Sequence, residues 1–250
     1  MIDFHSHILP GMDDGAADAD ISLEMLRRSK DSGVELVVST SHFYLSDNDV
    51  DEFLQRRRFA CDALKTAMQS DGGSFPDIIF GAEVAYTRHI ANVKDIKKLC
   101  IEGTDYMLLE LPYDDWDSNL FEDIYSLTLL GIRPILAHLD RFMYQEQHFD
   151  DLLSLNVLCQ INADSLMTSK GRKNILKLFK LDAAHILGSD MHNITSRAPN
   201  LAEGYAMLTK KFGSEYSDYL KSNSVRILDN KTPPPPTMLP RLGFIKTISL

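Results

Sequence analysis

Short apolar, β-branched runs alternate along the chain with longer stretches of helical period. This is the pattern of repeated strand–helix units around a parallel sheet. Seven runs read as strands: Ile2-His7, Glu35-Thr40, Ile78-Ala85, Tyr106-Leu111, Arg133-His138, Val157-Asn162 and His185-Ser189. Between them, apolar residues at helical spacing predict helices from Ile21 to Gly33, Val50 to Met68, Val93 to Cys100, Leu120 to Leu130, Phe149 to Leu155, Asn174 to Phe179 and Leu201 to Phe212. An open doubly wound sheet places a glycine-rich phosphate turn after its first strand. Here His5-Ser6-His7-Ile8-Leu9-Pro10 stands in that place, so a seven-stranded α/β barrel is expected. The run Thr232-Pro233-Pro234-Pro235-Pro236-Thr237 cannot enter a helix and favours an extended segment. It is expected to close a single domain over 1–230 and leave 231–250 as a Pro-rich tail carrying Arg241 and Lys246.

Composition narrows the partners. At 250 residues the chain has the size of one α/β barrel, and its 44% hydrophobic and 25% charged residues are those of a packed domain. Lys+Arg 26 against Asp+Glu 36 gives a net charge of -10, which argues against a nucleic acid held by phosphate neutralisation. Cys61, Cys100 and Cys159 are odd in number and scattered, as in a reducing compartment. With no signal-like N-terminus and no run approaching the roughly 18 apolar residues of a membrane span, a cytoplasmic protein without membrane insertion is expected.

The chemistry sits at the ends of the strands. His5 and His7 project to one face of the first strand and can meet one metal. Asp190-Met191-His192 repeats that spacing after the seventh. His42, Glu83, Glu110 and His138 each finish or follow an otherwise apolar run, and such strand ends are where barrel active sites gather. Burying Glu83 and Glu110 is costly without a partner, and their strands carry no Lys or Arg. Asp14, between Gly11 and Gly15 on the first loop, can fold back over the rim, with Asp13 as its rival. His89, His148 and His185 read as ordinary. Nine mixed imidazole and carboxylate donors suit two or three divalent ions, with Mn, Fe or Zn favoured by the absence of thiolate. Such a cluster activates water for phosphate-ester hydrolysis. Arg141 and Arg197 follow His138 and His192 closely and can offer forked donors to phosphoryl oxygens.

The segments Ile2-Asp3-Phe4-His5-Ser6-His7-Ile8-Leu9-Pro10-Gly11-Met12-Asp13-Asp14-Gly15-Ala16, Thr40-Ser41-His42, Gly81-Ala82-Glu83, Leu109-Glu110, Ala137-His138-Leu139-Asp140-Arg141 and Gly188-Ser189-Asp190-Met191-His192-Asn193 resemble the polymerase-and-histidinol-phosphatase (PHP) superfamily. They are most similar to its manganese-dependent bacterial protein tyrosine phosphatases of capsule and exopolysaccharide synthesis. The resemblance implies a distorted (βα)7 TIM-like barrel and a trinuclear metal centre. It also implies a phosphotyrosine substrate on the tail of a bacterial tyrosine kinase. Carried onto this chain, it places His5, His7, Glu83 and Asp190 on one ion, Glu83, Glu110 and His138 on a second, and Asp14, His42 and His192 on a third. Arg141 and Arg197 match the phosphate-binding, catalytic arginines. Leu139 and Asp140 depart from a more usual Pro and Glu, and the Pro-rich end lies outside the pattern. The alternative activity is that of a histidinol-phosphate phosphatase or another small-molecule phosphoesterase. The aromatics Phe43, Tyr44, Tyr86 and Trp116 stand near strand ends, with pocket wall and core packing both open for each.

Overall fold

The computed structural model describes residues 1–235. Its elements run β1 (Ile2–Ser6), α1 (Ala19–Asp31), β2 (Leu36–Ser39), β3 (His42–Phe43), α2 (Val50–Asp71), β4 (Asp77–Phe80), β5 (Glu83–Ala85), β6 (Tyr106–Glu110), α3 (Ser118–Leu129), β7 (Arg133–Leu136), α4 (Phe149–Leu153), β8 (Leu158–Asn162), α5 (Ser169–Lys180), β9 (Ile186–Gly188), α6 (Leu201–Phe212) and α7 (Ser214–Leu228). All strand pairs are parallel, in the orders β1-β2-β4 and β3-β5-β6-β7-β8-β9.

Two of the expected strands are bent. The chain breaks at Thr40-Ser41 between β2 and β3, and at Gly81-Ala82 between β4 and β5, so each path feeds both sheets. The break is sutured by the Gly81 N–H on Ser39 O and the Glu83 N–H on Thr40 O, at 2.9 and 3.1 Å. On the far side, Asp190 N donates to His5 O and His7 N to Met191 O, at 2.8 and 2.9 Å, bringing β1 beside the chain that leaves β9. The result is a curled, all-parallel sheet with its strand C-termini at one rim.

The sheet separates two apolar clusters. Phe4, Val38, Leu108, Ile135, Leu158 and Ile186 form one, on alternate strand positions, and the larger cluster joins the strands to the helices. Helix starts follow from their caps. Asp18 accepts from Ile21 N ahead of α1, and Asp49 with Glu52 forms a capping box at α2. The expected helix from Val93 to Cys100 is replaced by 3-10 turns at Ile90–Asn92 and Ile96–Leu99, because Asp95 takes a left-handed φ of 61° that an α-helix cannot absorb. Helix α7, which apolar spacing did not announce, packs against α6 and β9.

The segment after α7 lies against the body: Tyr219 Oη donates to Pro234 O at 3.1 Å and Arg226 Nε to Thr232 O at 3.1 Å. The rest of the tail, with Arg241 and Lys246, lies outside the described residues. No helix among the described residues is long and apolar enough to cross a membrane.

Candidate metal centre

The structure brings all nine donor residues to the rim. Glu83, at the start of β5 and 1% exposed, is the centre: its carboxylate lies 3.0 Å from His5 Nε2, 3.2 Å from His7 Nε2, 3.1 Å from His42 Nδ1 and 2.9 Å from His138 Nε2. The partners that its own strand lacks are thus imidazoles carried at the ends of β1, β3 and β7. Burial opposes ionisation of Glu83, but His5 and hydrogen bonds from His138, His5 and His7 hold it well below the usual carboxylate range. Burial and the charge of Glu83 push Glu110 up to about 7.

Donor atoms converge in three groups: His7, Asp14, His42 and His192; His5, His7 and Asp190; His42, Glu83 and Glu110. This grouping differs from the one the resemblance implies. His7 belongs to two groups, and His42 joins Glu83 and Glu110. His138 reaches that group through contacts of 2.9 Å to Glu83 and 3.8 Å to Glu110.

Backbone geometry aims several of these side chains. A register irregularity between Asp3 and Ser6 bends β1. The bend is pinned by Asp3 Oδ1, which accepts from His5 N and Ser189 N at 3.3 and 2.9 Å. His138 and Asp190 are non-glycine residues at φ 33° and 56°, a region that side chains enter rarely and that gathers at functional sites. Gly15 and Gly188 are required by close approach: a Cβ would stand 2.3 Å from His7 O at the first and 2.7 Å from the His5 Cβ at the second.

The hydrogen bonds behind the imidazoles select which nitrogen faces the rim. Gln160 Oε1 accepts from His138 N at 2.7 Å, so it is the amide oxygen, and His5 Nδ1, 3.1 Å away, donates to it. His7 Nδ1 donates to Asp13 Oδ2 at 2.8 Å and His192 Nδ1 to Asp190 O at 3.0 Å. In all three, Nε2 faces the cluster, the arrangement in which an outer acceptor orients a metal-binding histidine.

The donor set fits divalent cations. His42 Nδ1 and His192 Nε2 are buried without a hydrogen bond, although carboxylate oxygens lie 3.1 and 3.3 Å away. His5 Nε2 and His7 Nε2 stand 3.1 Å apart, both aimed at Glu83. Burial works against protonation of His7, yet Asp13 and Glu83 raise it to about 10, so a cation here competes with protons for the same lone pairs. Burial and the neighbouring His7 lower His192 to about 4.

The rivalry between the two loop aspartates resolves into two positions. Asp14, its side chain 65% exposed, lies 3.5 Å from His42 Nε2 and 3.3 Å from His192 Nε2. Asp13 turns inward to His7 and the His42 N–H. Both arginines converge on Asp190, Arg141 on Oδ2 at 2.5 Å and Arg197 on Oδ1 at 2.6 Å. They remain about one-third exposed (32% and 37%), with further N–H donors to offer.

Sequence reasoning missed Gln160 and Asn162. Gln160 Nε2 donates to Asn162 Oδ1 at 2.7 Å, and Asn162 Nδ2 donates to Asp190 Oδ2 at 3.0 Å. The signal that could have found them was polar residues alternating within the apolar strand Leu158–Asn162. Of the four aromatics left open, Phe43 and Trp116 are core, Tyr86 bonds Asp123, and Tyr44 stacks on His42.

Along nearly its whole length the chain is similar to known tyrosine-protein phosphatases. Tyrosine-protein phosphatase YwqE of Bacillus subtilis is 31% identical over 261 residues, covering 98% of this chain and all of that protein. Tyrosine-protein phosphatase CpsB of Streptococcus agalactiae serotype V is 28% identical over 243 residues, 92% of this chain and 99% of that one. A crystal structure from a study of YwqE from Bacillus subtilis and CpsB from Streptococcus pneumoniae, described there as unique metal-dependent tyrosine phosphatases, superposes with a TM-score of 0.81 at 28% identity, over 93% of this chain and 96% of that one. The family model for capsular polysaccharide synthesis, CpsB/CapC, matches residues 1–229, and the chain belongs to that family.

Proposed function

We propose that this protein is a metal-dependent phosphomonoesterase that removes phosphate from protein phosphotyrosine. The observation that carries the reading is the meeting of eight converging nitrogen and oxygen donor residues, with His138 beside Glu83, at one rim next to two arginines anchored on a shared aspartate. Its nine strand segments are read as seven strand–helix units of a distorted barrel, β2 with β3 and β4 with β5 each being one bent strand, in a single domain over 1–230 followed by a Pro-rich tail.

His5, His7, Asp14, His42, Glu83, Glu110, His138, Asp190 and His192 would hold two or three divalent ions, manganese foremost, with iron or zinc as the alternatives. Ions bound there supply an activated water and neutralise charge on the phosphoryl group. The chain's own part is orientation. Arg141 and Arg197 present forked donors to the non-bridging oxygens, and Asp190 fixes both guanidinium groups before substrate arrives. Asp13 and Gln160 keep His7 and His5 turned to the cluster. A cysteine nucleophile is disfavoured: Cys61, Cys100 and Cys159 are all buried, and burial pushes Cys100 up to about 12 and Cys159 higher still.

The names of relatives in the family support a phosphotyrosine substrate; the tail of a bacterial tyrosine kinase is the substrate that the sequence resemblance implies, and three free cysteines favour the cytoplasm. The test compares kcat/KM on a tyrosine-phosphorylated peptide and on histidinol phosphate, with manganese and after chelation. Peptide turnover that disappears on chelation is expected. Absence of turnover in fully loaded protein, or a preference for histidinol phosphate, overturns the proposal.

A further inference from the structure

The chain has nine tyrosines, and four of them are exposed: Tyr44, Tyr113, Tyr125 and Tyr144. Three of these four stand on the loops that follow β3, β6 and β7, at the rim that carries the metal-binding groups; Tyr125 lies on α3. The rest are wholly or partly buried. Exposed aromatic rings on the one face that handles substrate call for an explanation beyond packing.

Tyr44 lies on the His42 side. Its ring stacks on the His42 imidazole at 5.2 Å and 27°, and it is 38% exposed. Tyr113 lies on the Arg141 side and is 60% exposed. Its ring packs at 5.2 Å on Phe142, which is fully buried and stacks on His138 at 6.0 Å. Tyr144 Oη donates to Tyr113 O at 3.0 Å, fixing the backbone that presents the ring. One tyrosine therefore leans on His42 and the other packs on Phe142, the ring beside His138, and both remain exposed.

We propose that Tyr44 and Tyr113 form an aromatic mouth that takes the aryl ring of a phosphate monoester whose phosphoryl group is held by Arg141 and Arg197. The inference rests on the phosphatase reading and names the two residues that set its preference for aryl over alkyl phosphates. A flat ring finds offset or edge contacts with two pre-placed aromatics, while a short alkyl group leaves both faces wet. Burial of Phe142 and Phe43 beneath the two loops keeps the mouth preformed.

The test measures binding, so it stands apart from turnover. Phenylphosphonate and methylphosphonate, neither of which is hydrolysed, are titrated into manganese-loaded full-length protein by calorimetry. Trp116, the single tryptophan, packs on Phe142 at 5.6 Å and serves as a fluorescence reporter. The parent is expected to favour phenylphosphonate by roughly 10-fold, the size of two aromatic contacts. Y44A and Y113A should each lose roughly 3-fold of that preference and the double variant nearly all of it, while Y44F and Y113F retain it. Equal affinities in the parent, or a double variant that keeps its preference, overturn the mouth. Retained aryl preference in a protein without turnover sinks the phosphatase reading and leaves the mouth standing.

Discussion

Replacing Asp13 and Asp14 by asparagine, one at a time, separates orienting a metal-binding group from being one. Asp13 Oδ2 accepts from His7 Nδ1 and from His42 N, both at 2.8 Å, and Oδ1 accepts from Gly15 N at 3.0 Å. In D13N, a side-chain amide with its oxygen on the His7 side keeps two of these bonds but turns an NH2 toward the Gly15 N–H, which strands a donor at about 1–3 kcal/mol. The bond to His7 falls from the about 1.5–3 kcal/mol of a charged acceptor toward the about 0.5–1.5 of a neutral one. D13N should therefore destabilise the chelated protein by about 2–4 kcal/mol, a Tm lower by roughly 5–15 °C at this chain length. It should also weaken metal binding roughly 10–100-fold through the loss of the partner that orients His7. Asp14 is exposed and has contacts of only 3.3–3.9 Å. D14N should shift the chelated protein by less than about 0.5 kcal/mol while still lowering metal affinity.

Melts in chelator and competition titrations against a metal-binding dye read the two effects. The pH dependence adds a check. The His7 bond holds Asp13 below the usual carboxylate range against burial, so its stabilisation is lost only as pH falls through that depressed value. His7 is raised to about 10 by Asp13 and Glu83 against burial, so its share is full below pH 6.5 and fades as pH climbs toward 10. The gap between D13N and parent should be widest between about pH 4 and 6.5 and close toward pH 10. A chelated D13N that melts with the parent across that window, while D14N is the unstable one, refutes the assignment.

Metal removal from the parent should lower Tm, since ligand at 100 times Kd contributes about 2.7 kcal/mol per site; superimposable melts with and without chelator would count against a built metal centre. His185, just ahead of β9, is neutral when folded because burial lowers it to about 4, and its Nδ1 accepts from Cys159 N at 3.0 Å. The unfolded chain protonates it near its ordinary 6.5, so stability should fall as pH drops from 6.5 toward 4, by roughly 3 kcal/mol from this group. H185Q should flatten that limb of a Tm-against-pH series, and an unchanged slope would place the acid sensitivity elsewhere. R141K and R197K keep the charge on Asp190 but lose the planar fork. Each should cut kcat/KM roughly 100-fold with little change in melting, and full activity in either would remove that arginine from the phosphate site.

Most of the donors were legible because they finish or follow an apolar run, and Asp14 because glycines flank it on the first loop, signals that lie within a few residues of sequence. What escaped was either masked locally or assembled at long range. Helix α7 buries Tyr216, Ser217, Leu220, Asn223, Ser224 and Ile227, so half of its inner face is polar and the apolar period is hidden. Two of those groups find tertiary partners, Ser217 Oγ donating to Tyr205 O and Asn223 Nδ2 to His185 O, while Ser224 Oγ donates within the helix to Leu220 O. In the opposite sense, the apolar spacing from Val93 to Cys100 reads as a helix until Asp95 is seen at positive φ.

Gln160 illustrates the long-range case, for its bond to His5 spans 155 residues of sequence. Its role also explains how two strained residues at the rim are tolerated. A left-handed residue with a side chain costs roughly 1–2 kcal/mol, and His138 and Asp190 both take that conformation. Gln160 Oε1 receives the His138 N–H, and His5 O receives the Asp190 N–H. His5 in turn is held by the same Gln160 oxygen through Nδ1. One amide thus links the orientation of an imidazole on β1 to the bent backbone after β7, and β1 passes the constraint on to the turn after β9. Three donors from separate strands are fixed together, and strain at any one of them is opposed by hydrogen bonds made at the others.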